Sequence, residues 1–296
     1  MYDTITKING TFIQHGTFNN RVYIMKLADS RVSETIQEIE KLIKENEYTK
    51  VIGKIPIWAR STFEKMGYKV EASIPNFYHG SEDVFFMAKY FLSERKVEQN
   101  PEAVQEVLDA ARAKEGQGVT SEIKPPFEFT GADLSDAQEI ADVYRQVFES
   151  YPFPIHEVDY IRKTMEENVV YFCIRENGKI VSVASSEMDI KGENVEMTDF
   201  ATLQEYRGNS FAVFLLEKME EAMRERGVKT AYTIARALSY GMNITFSRLG
   251  YSYGGTLTNN TDICGELESM NVWYKPLLAM ERSVSGRERE ETVART

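Results

Sequence analysis

The nine residues Gln204 to Ala212, Gln-Glu-Tyr-Arg-Gly-Asn-Ser-Phe-Ala, lie between a run rich in β-branched and aromatic residues and an amphipathic stretch. A strand, a glycine-bearing turn and a helix in that order aim free backbone N–H groups and the positive end of a helix dipole at one point. Such a point takes an anion, typically a pyrophosphate. Arg207, Gly208, Asn209, Ser210, Phe211 and Ala212 would face it, with Ala201 and Thr202 on the strand before the turn. Only one glycine is present, and an ordinary helix-entry turn has the same outline. The same strand carries Glu196, whose carboxylate could serve as a base directly or through a water, or could simply be solvated. Period-two alternation puts Glu196, Thr198 and Phe200 on one face of the strand and Met197 and Asp199 on the other.

These residues need elements to carry them. The strand is expected over 194–202, and Phe211, Phe214, Leu215, Met219, Ala222 and Met223 recur at helical spacing over about 210–226, where Gly227 stops the helix. Upstream, strands over 169–175 and 179–185 are joined through Asn177-Gly178, a pair that favours positive φ and a tight hairpin. Downstream come a strand over 229–234, a short helix over 239–249 closed by Gly250, and short strands near 251–257 and 269–274. The first half repeats part of this order with a strand over 21–27, a helix over 33–47 burying Ile36, Ile39 and Ile43, and a strand over 50–55. Phe63-Glu64-Lys65-Met66-Gly67-Tyr68 parallels Phe246-Ser247-Arg248-Leu249-Gly250-Tyr251. The glycine turn is missing from the first half, where Ala28-Asp29-Ser30-Arg31 stands in its place.

A length of 296 residues gives two domains at roughly 150 residues each. Asn100-Pro101, Gly116-Gln117-Gly118 and Pro125-Pro126 punctuate a linker over 96–126, with one surface helix over 101–113. The segment 281–296 is mostly Arg, Glu, Ser and Thr and is expected to be a mobile tail. Apolar residues at 42% and charged residues at 27% fit a folded globular chain. A net charge of −11 repels phosphate backbones and anionic lipid, so no nucleic acid and no membrane is expected as partner. The two cysteines, Cys173 and Cys264, and the three histidines show no metal-ligand spacing, so neither a zinc site nor a disulfide framework is expected. With no basic start leading into an apolar stretch, the expected compartment is cytoplasmic.

Glu205-Tyr206-Arg207-Gly208-Asn209-Ser210 resembles the acetyl-CoA pyrophosphate loop of GNAT acetyltransferases: Gln or Arg, two residues, Gly, one residue, then Gly or Ala. Gly208 matches, while Glu205 and Ser210 depart. Phe246 to Tyr251 resembles the second signature of that family, an aromatic residue followed by Gly and an aromatic at the end of the last helix. Four runs in the second half are similar to the β-lysine N-acetyltransferases: Tyr151 to Ile155, Glu196 to Thr202, Tyr232 to Ala237 and Glu268 to Tyr274. Ile74 to Gly80 in the first half is similar too, so the resemblance spans most of the chain apart from linker and tail.

The resemblance implies an α/β fold with a mixed twisted sheet of GNAT type. A complete catalytic domain over 127–280 would follow a reduced GNAT-like domain over 1–95 that shapes the acceptor pocket. It also implies acetyl transfer from acetyl-CoA, a co-substrate needing no metal, to the ε-amine of β-lysine, giving the compatible solute Nε-acetyl-β-lysine. Lysine 2,3-aminomutase is then the pathway partner, and a homodimer is an assembly left open. A GNAT enzyme acting on another polyamine or a protein lysine, or a non-catalytic acetyl-CoA-binding module, would share most of these features.

A lysine-type amine has a pKa of about 10.4, so deprotonating it at pH 7 costs about 4.6 kcal/mol, and Glu196 is the expected base. The family often uses a tyrosine on the last helix as acid for the departing thiolate. Phe246 occupies that place here, which leaves Tyr251, Tyr240 or an unaided thiolate. Asn243 and Ser239 are expected along the pantetheine arm, with Phe246 also against the cofactor. An acceptor with two amines and a carboxylate needs anionic and cationic groups. Asp199, Glu187, Asp262 and Glu268 are candidates for the second amine and Arg236 or Arg145 for the carboxylate, with Tyr151 in a stiff segment that could act as a lid.

Overall fold

The computed structural model describes residues 2–118, 122–263 and 265–277; the expected mobile tail and Cys264 lie outside them. The first half runs β1 (Thr4–Ile8), β2 (Thr11–Gly16), β3 (Arg21–Lys26), α1 (Val32–Asn46), β4 (Lys50–Pro56), α2 (Ile57–Lys65), β5 (Lys69–Tyr78) and β6 (Glu82–Tyr90). Helix α3 (Pro101–Arg112) follows. The second half runs β7 (Phe127–Gly131), α4 (Ala137–Val147), α5 (Val158–Glu167), β8 (Val169–Glu176), β9 (Lys179–Asp189) and β10 (Asn194–Thr202). It continues with α6 (Phe211–Glu225), β11 (Thr230–Arg236), α7 (Tyr240–Arg248), β12 (Ser252–Ile263) and β13 (Glu266–Pro276).

All of these strands join one sheet in the order β1-β2-β3-β4-β6-β5-β12-β13-β11-β10-β9-β8-β7. Read from either end towards the β5–β12 junction, the two halves have the same topology. Strands β1-β2-β3-β4-β6-β5 correspond to β8-β9-β10-β11-β13-β12, and helices α1 and α2 correspond to α6 and α7. Each half has one parallel pair, β3 with β4 and β10 with β11, and both pairings are short. Antiparallel hairpins flank each parallel pair, so the sheet is mixed.

Local sequence explains most elements. Ile36, Ile39 and Ile43 recur at helical spacing and are buried along α1. Asn177 and Gly178 both take positive φ, 51° and 82°, the type I′ geometry whose twist matches the β8–β9 strands it joins. In β8, Tyr171 and Cys173 face α4 and α5, whereas Phe172 and Ile174 face α6. Helices therefore cover both faces of the second half, and neither α4 nor α5 is among the expected elements. Ser247 Oγ donates to the Ala111 carbonyl at 2.8 Å, one of the bonds that lay α3 over α7.

Strand β12 runs longer than the expected 251–257 because a register shift between Leu257 and Thr261 lets it bend and continue to Ile263. At the junction of the halves, Gly255 pairs with Ala72, and Ile74, Phe77, Phe86, Tyr232, Leu257 and Val272 form a shared apolar layer.

Candidate active site

Strands β10 and β11 pair only from Asn194–Thr230 to Glu196–Tyr232, after which β10 leaves while β11 stays on β13 as far as Arg236–Met270. A wedge opens there. Thr198, Asp199 and Phe200 line one side of it and Thr233, Ile234, Ala235 and Arg236 the other. The wedge holds a cavity of about 170 Å³ whose remaining walls include Phe148 and Tyr151 to Phe153, and Arg21, Tyr23, Met25 and Lys54 from the first half.

Glu196 stands at the apex, half-buried, and accepts a hydrogen bond from Tyr232 Oη at 2.8 Å; Lys54 Nζ in turn donates to Tyr232 Oη at 2.9 Å. Because the ammonium can only donate, the phenol is fixed as donor towards Glu196. Burial raises the pKa of Glu196 above the usual carboxylate range, against the pull of Lys54 and of the Tyr232 bond, with Asp199 adding to the rise. Burial opposes the charge on Lys54, but Tyr23, Tyr232 and Glu196 more than offset it and hold the ammonium charged. Glu187 lies directly across the β9–β10 ladder from Glu196. It opens onto the cavity but is ringed by protein, and that enclosure together with the charge of Glu196 pushes it up to about 7.

Asp199 corrects the strict alternation expected for this strand. The β9–β10 register shifts between Thr198 and Ala201, and Asp199 adopts φ 53°, so its carboxylate enters the same cavity as Glu196 instead of the opposite face. Tyr151 Oη and Ser185 Oγ each donate to it at 2.6 Å, with Thr198 Oγ1 at 3.3 Å. The bulge thus brings three carboxylates, Glu187, Glu196 and Asp199, around one cavity. A cluster of this kind attracts a cation, and each member makes it harder for its neighbours to lose a proton.

A second groove of about 570 Å³ meets the first at Phe148, Phe200, Arg236 and Met242, and runs past Thr202, Tyr206 and Arg207–Val213 to Ser239, Thr245 and Arg248. Gly208 has φ +91°, and a Cβ built there meets nothing within 4 Å, so the turn is open towards the groove. Ser210 takes φ 59° as it enters α6; the Val213 N–H turns back to the Ser210 carbonyl at 3.1 Å, and the N–H groups of Phe211 and Ala212 ahead of it have no intrahelical acceptor. Arg207, Gly208, Asn209, Ser210, Phe211, Ala212 and Thr202 all line this groove, and Ala201 is buried behind it. These residues fit a long molecule that ends in a pyrophosphate: an open turn, unspent backbone donors and a channel leading to the carboxylates.

Other expected residues lie elsewhere. Asn243 is fully buried, and both ends of its amide are taken, by the Arg236 and Ser239 carbonyls and by Asn271 Nδ2 and Trp273 Nε1, so it braces the groove from behind instead of touching a cofactor. Phe246 is also fully buried, edge-on to Phe200 and Tyr251, and acts on the groove only through Phe200. Glu268 forms a bidentate pair with Arg236 and does not line the cavity, so it holds that arginine and does not meet an amine. Arg145 bonds Asp142 and the His156 carbonyl, and Asp262 likewise lies outside the cavity wall. Tyr251 is sealed in the core and Tyr240 is exposed at the start of α7, so neither candidate acid reaches the wedge.

Lys54, Tyr23 and Arg21 are the site residues that sequence reading missed. The available signal is charge inside otherwise apolar strands, Lys54 in Val51-Ile52-Gly53-Lys54-Ile55 and Arg21 ahead of Val22-Tyr23-Ile24. Nothing local says which way such a charge faces.

The acetyltransferase (GNAT) family model matches residues 137–251. A protein named beta-lysine N(6)-acetyltransferase from Methanococcus maripaludis is 43% identical over 273 residues, covering 92% of this chain and 98% of that one. A protein of the same name from Methanosarcina mazei is 32% identical, covering 81% of this chain and 97% of that one. The N-acetyltransferase YodP of Bacillus subtilis is 31% identical, covering 90% and 95%. Likeness along nearly the whole length of these relatives takes in both halves as well as the wedge and the open turn, and the chain belongs to the GNAT acetyltransferase family.

Proposed function

We infer that the chain transfers an acetyl group from acetyl-CoA to the ε-amine of β-lysine. The observation that carries this is the continuity of an open, donor-rich turn at Gly208 with a cavity ringed by Glu187, Glu196 and Asp199. The near full-length likeness to two proteins named beta-lysine N(6)-acetyltransferase supports the choice of acceptor. Acetyl-CoA supplies the activated acyl group. Arg207 to Ala212 would hold its pyrophosphate, and Phe200, Thr202 and Ser239 would line the path of its arm.

The acceptor enters as an ammonium ion, drawn by the three carboxylates. Glu196 takes its proton, at a cost that a carboxylate raised by burial lowers relative to bulk water. Tyr232 and Lys54 keep Glu196 oriented and let its charge alternate without moving the backbone. Asp199 lies beside the amine, its pKa raised by burial against the pull of its three hydroxyl donors. The neutral amine bonds to the acyl carbon as the carbon–sulfur bond breaks, and the second amine proton passes to the departing thiolate, so no side chain has to supply one. Tyr151 to Phe153 and Arg21, Tyr23, Met25 and Lys54 of the first half wall the cavity, a setting that favours a small free diamino acid as acceptor.

In this reading a lysine 2,3-aminomutase supplies the acceptor and the enzyme works in the cytoplasm. Among the described residues no helix is long and apolar enough to cross a membrane. The test is an acceptor panel of β-lysine, α-lysine, an unbranched diamine and a lysine peptide, followed by release of free thiol. β-Lysine should give the highest kcat/KM. Turnover fastest on the peptide, or on none of the panel, would reject the assignment.

A further inference from the structure

Arg21 opens β3 and lines the acceptor cavity, yet the fold uses only part of its guanidinium. Nη1 donates to the Asn260 carbonyl at 2.5 Å and to Thr261 Oγ1 at 3.3 Å. Among the described residues nothing accepts from Nε, in a residue only 3% exposed. On the same cavity wall the side-chain oxygen of Asn260, a residue 4% exposed, also lacks a partner. Leaving a buried donor or acceptor unpaired carries its full desolvation penalty. A cationic donor and a neutral acceptor left open together match a ligand that carries an anion and an N–H donor a few bonds apart.

Charge points the same way. Lys50, Arg95 and Arg21, all from the N-terminal side of the chain, donate to the successive carbonyls of Thr258, Asn259 and Asn260 where β12 bulges. Lys50 is paired with Glu71 at 2.9 Å, whereas Arg21 has no carboxylate within ion-pair distance among the described residues. Burial lowers its pKa to about 10, with Arg95 adding to the fall and Tyr23 and Asp3 opposing it, so it stays charged at neutral pH. The carboxylates that line the cavity are Glu187, Glu196 and Asp199, and none of them pairs with Arg21.

We propose that Arg21 anchors the carboxylate of the acceptor amino acid and that Asn260 Oδ1 takes its second ammonium, so that the acceptor lies lengthwise with its far amine at Glu196. This rests on the reading that the amine acetylated is the one beside Glu196. The strand register sets the direction. Arg21 pairs with Lys50 in the parallel β3–β4 ladder, so Lys54, which bonds Tyr232 beside Glu196, lies four residues further along β4 from the level of Arg21. Arg21 and Glu196 line the same cavity, so a chain with a carboxylate at one end and an amine at the other can lie along it.

The test compares β-lysine with 1,4-diaminopentane, the same carbon chain without its carboxylate, in wild type, Arg21→Met and Arg21→Lys. Arg21→Met should raise KM for β-lysine about tenfold or more while KM for the diamine and for acetyl-CoA moves little. Arg21→Lys, which keeps the charge but loses the planar fork, should fall between and covers the case in which the methionine variant does not fold. If both acceptors weaken alike, or neither changes, Arg21 only braces β12 and the anchor is overturned. If wild type acetylates neither acceptor, the assigned reaction itself fails and the anchor falls with it, an outcome distinct from the first.

Discussion

Glu187 and Glu196 face each other across one ladder position, and two carboxylates this close do not ionise independently. With Glu187 pushed up to about 7 and Glu196 also raised, the pair carries an extra proton below neutrality. That proton removes part of the negative charge that draws the ammonium into the cavity, so kcat/KM should fall as pH drops through the neutral range. Glu196→Gln keeps the shape but removes the acceptor, and should cost about 10² to 10⁴ in kcat at pH 7. Above pH of about 10 the free ε-amine is increasingly neutral, so the deficit should shrink there. Steady-state rates across pH for both proteins check this, and a deficit that stays constant with pH would remove the base role. Sequence pattern made Glu196 legible because its strand was clear. The neighbouring Asp199 was misplaced because a bulge, which shifts facing by one residue, depends on the ladder to β9 and leaves no local mark.

At the scale of elements, the turn into α6 works through backbone conformation more than through space. Gly208 has φ +91° and room around its missing Cβ, so a side chain there is strained and would project into the groove. Gly208→Val should therefore raise KM for acetyl-CoA about tenfold or more, with KM for the amine acceptor little changed. Titrating each substrate separately checks it, and an unchanged KM for acetyl-CoA would remove this turn from the pyrophosphate site. The turn was readable because glycine, helix start and preceding strand are all local signals. Strand β10 and helices α1 and α6 were readable for the same reason, each with its own period. Asn243 and Phe246 show the limit of that approach. Their spacing on α7 was correct, but which face of a short helix meets the core was decided by Trp273, Asn271 and Tyr251 from distant strands.

For the whole molecule, the repeated strand order explains why one cavity needs both halves: the sheet continues through β5 and β12 and brings β3 and β4 over the β10–β11 wedge. The junction depends on close backbone approach. A Cβ at Gly255 would sit 2.2 Å from the Glu71 carbonyl oxygen and 2.7 Å from Ala72 Cα, at φ +140°. Gly255→Val should cost about 2 kcal/mol or more and lower Tm by several degrees, because backbone on both sides must give. Thermal unfolding checks this, and an unchanged Tm would mean that the halves do not rely on this contact. The parallel between the halves could be seen in the sequence, but their joining could not, since Gly254-Gly255 reads equally well as a loop. The central claim is that the acceptor spans the cavity with its ε-amine at Glu196, and the site of acetylation on β-lysine tests it most directly. Mass spectrometry and NMR of the product formed with acetyl-CoA should place the acetyl group on the ε-nitrogen, with one thiol released per product. Acetyl on the amine nearer the carboxylate, or no thiol release, would contradict it.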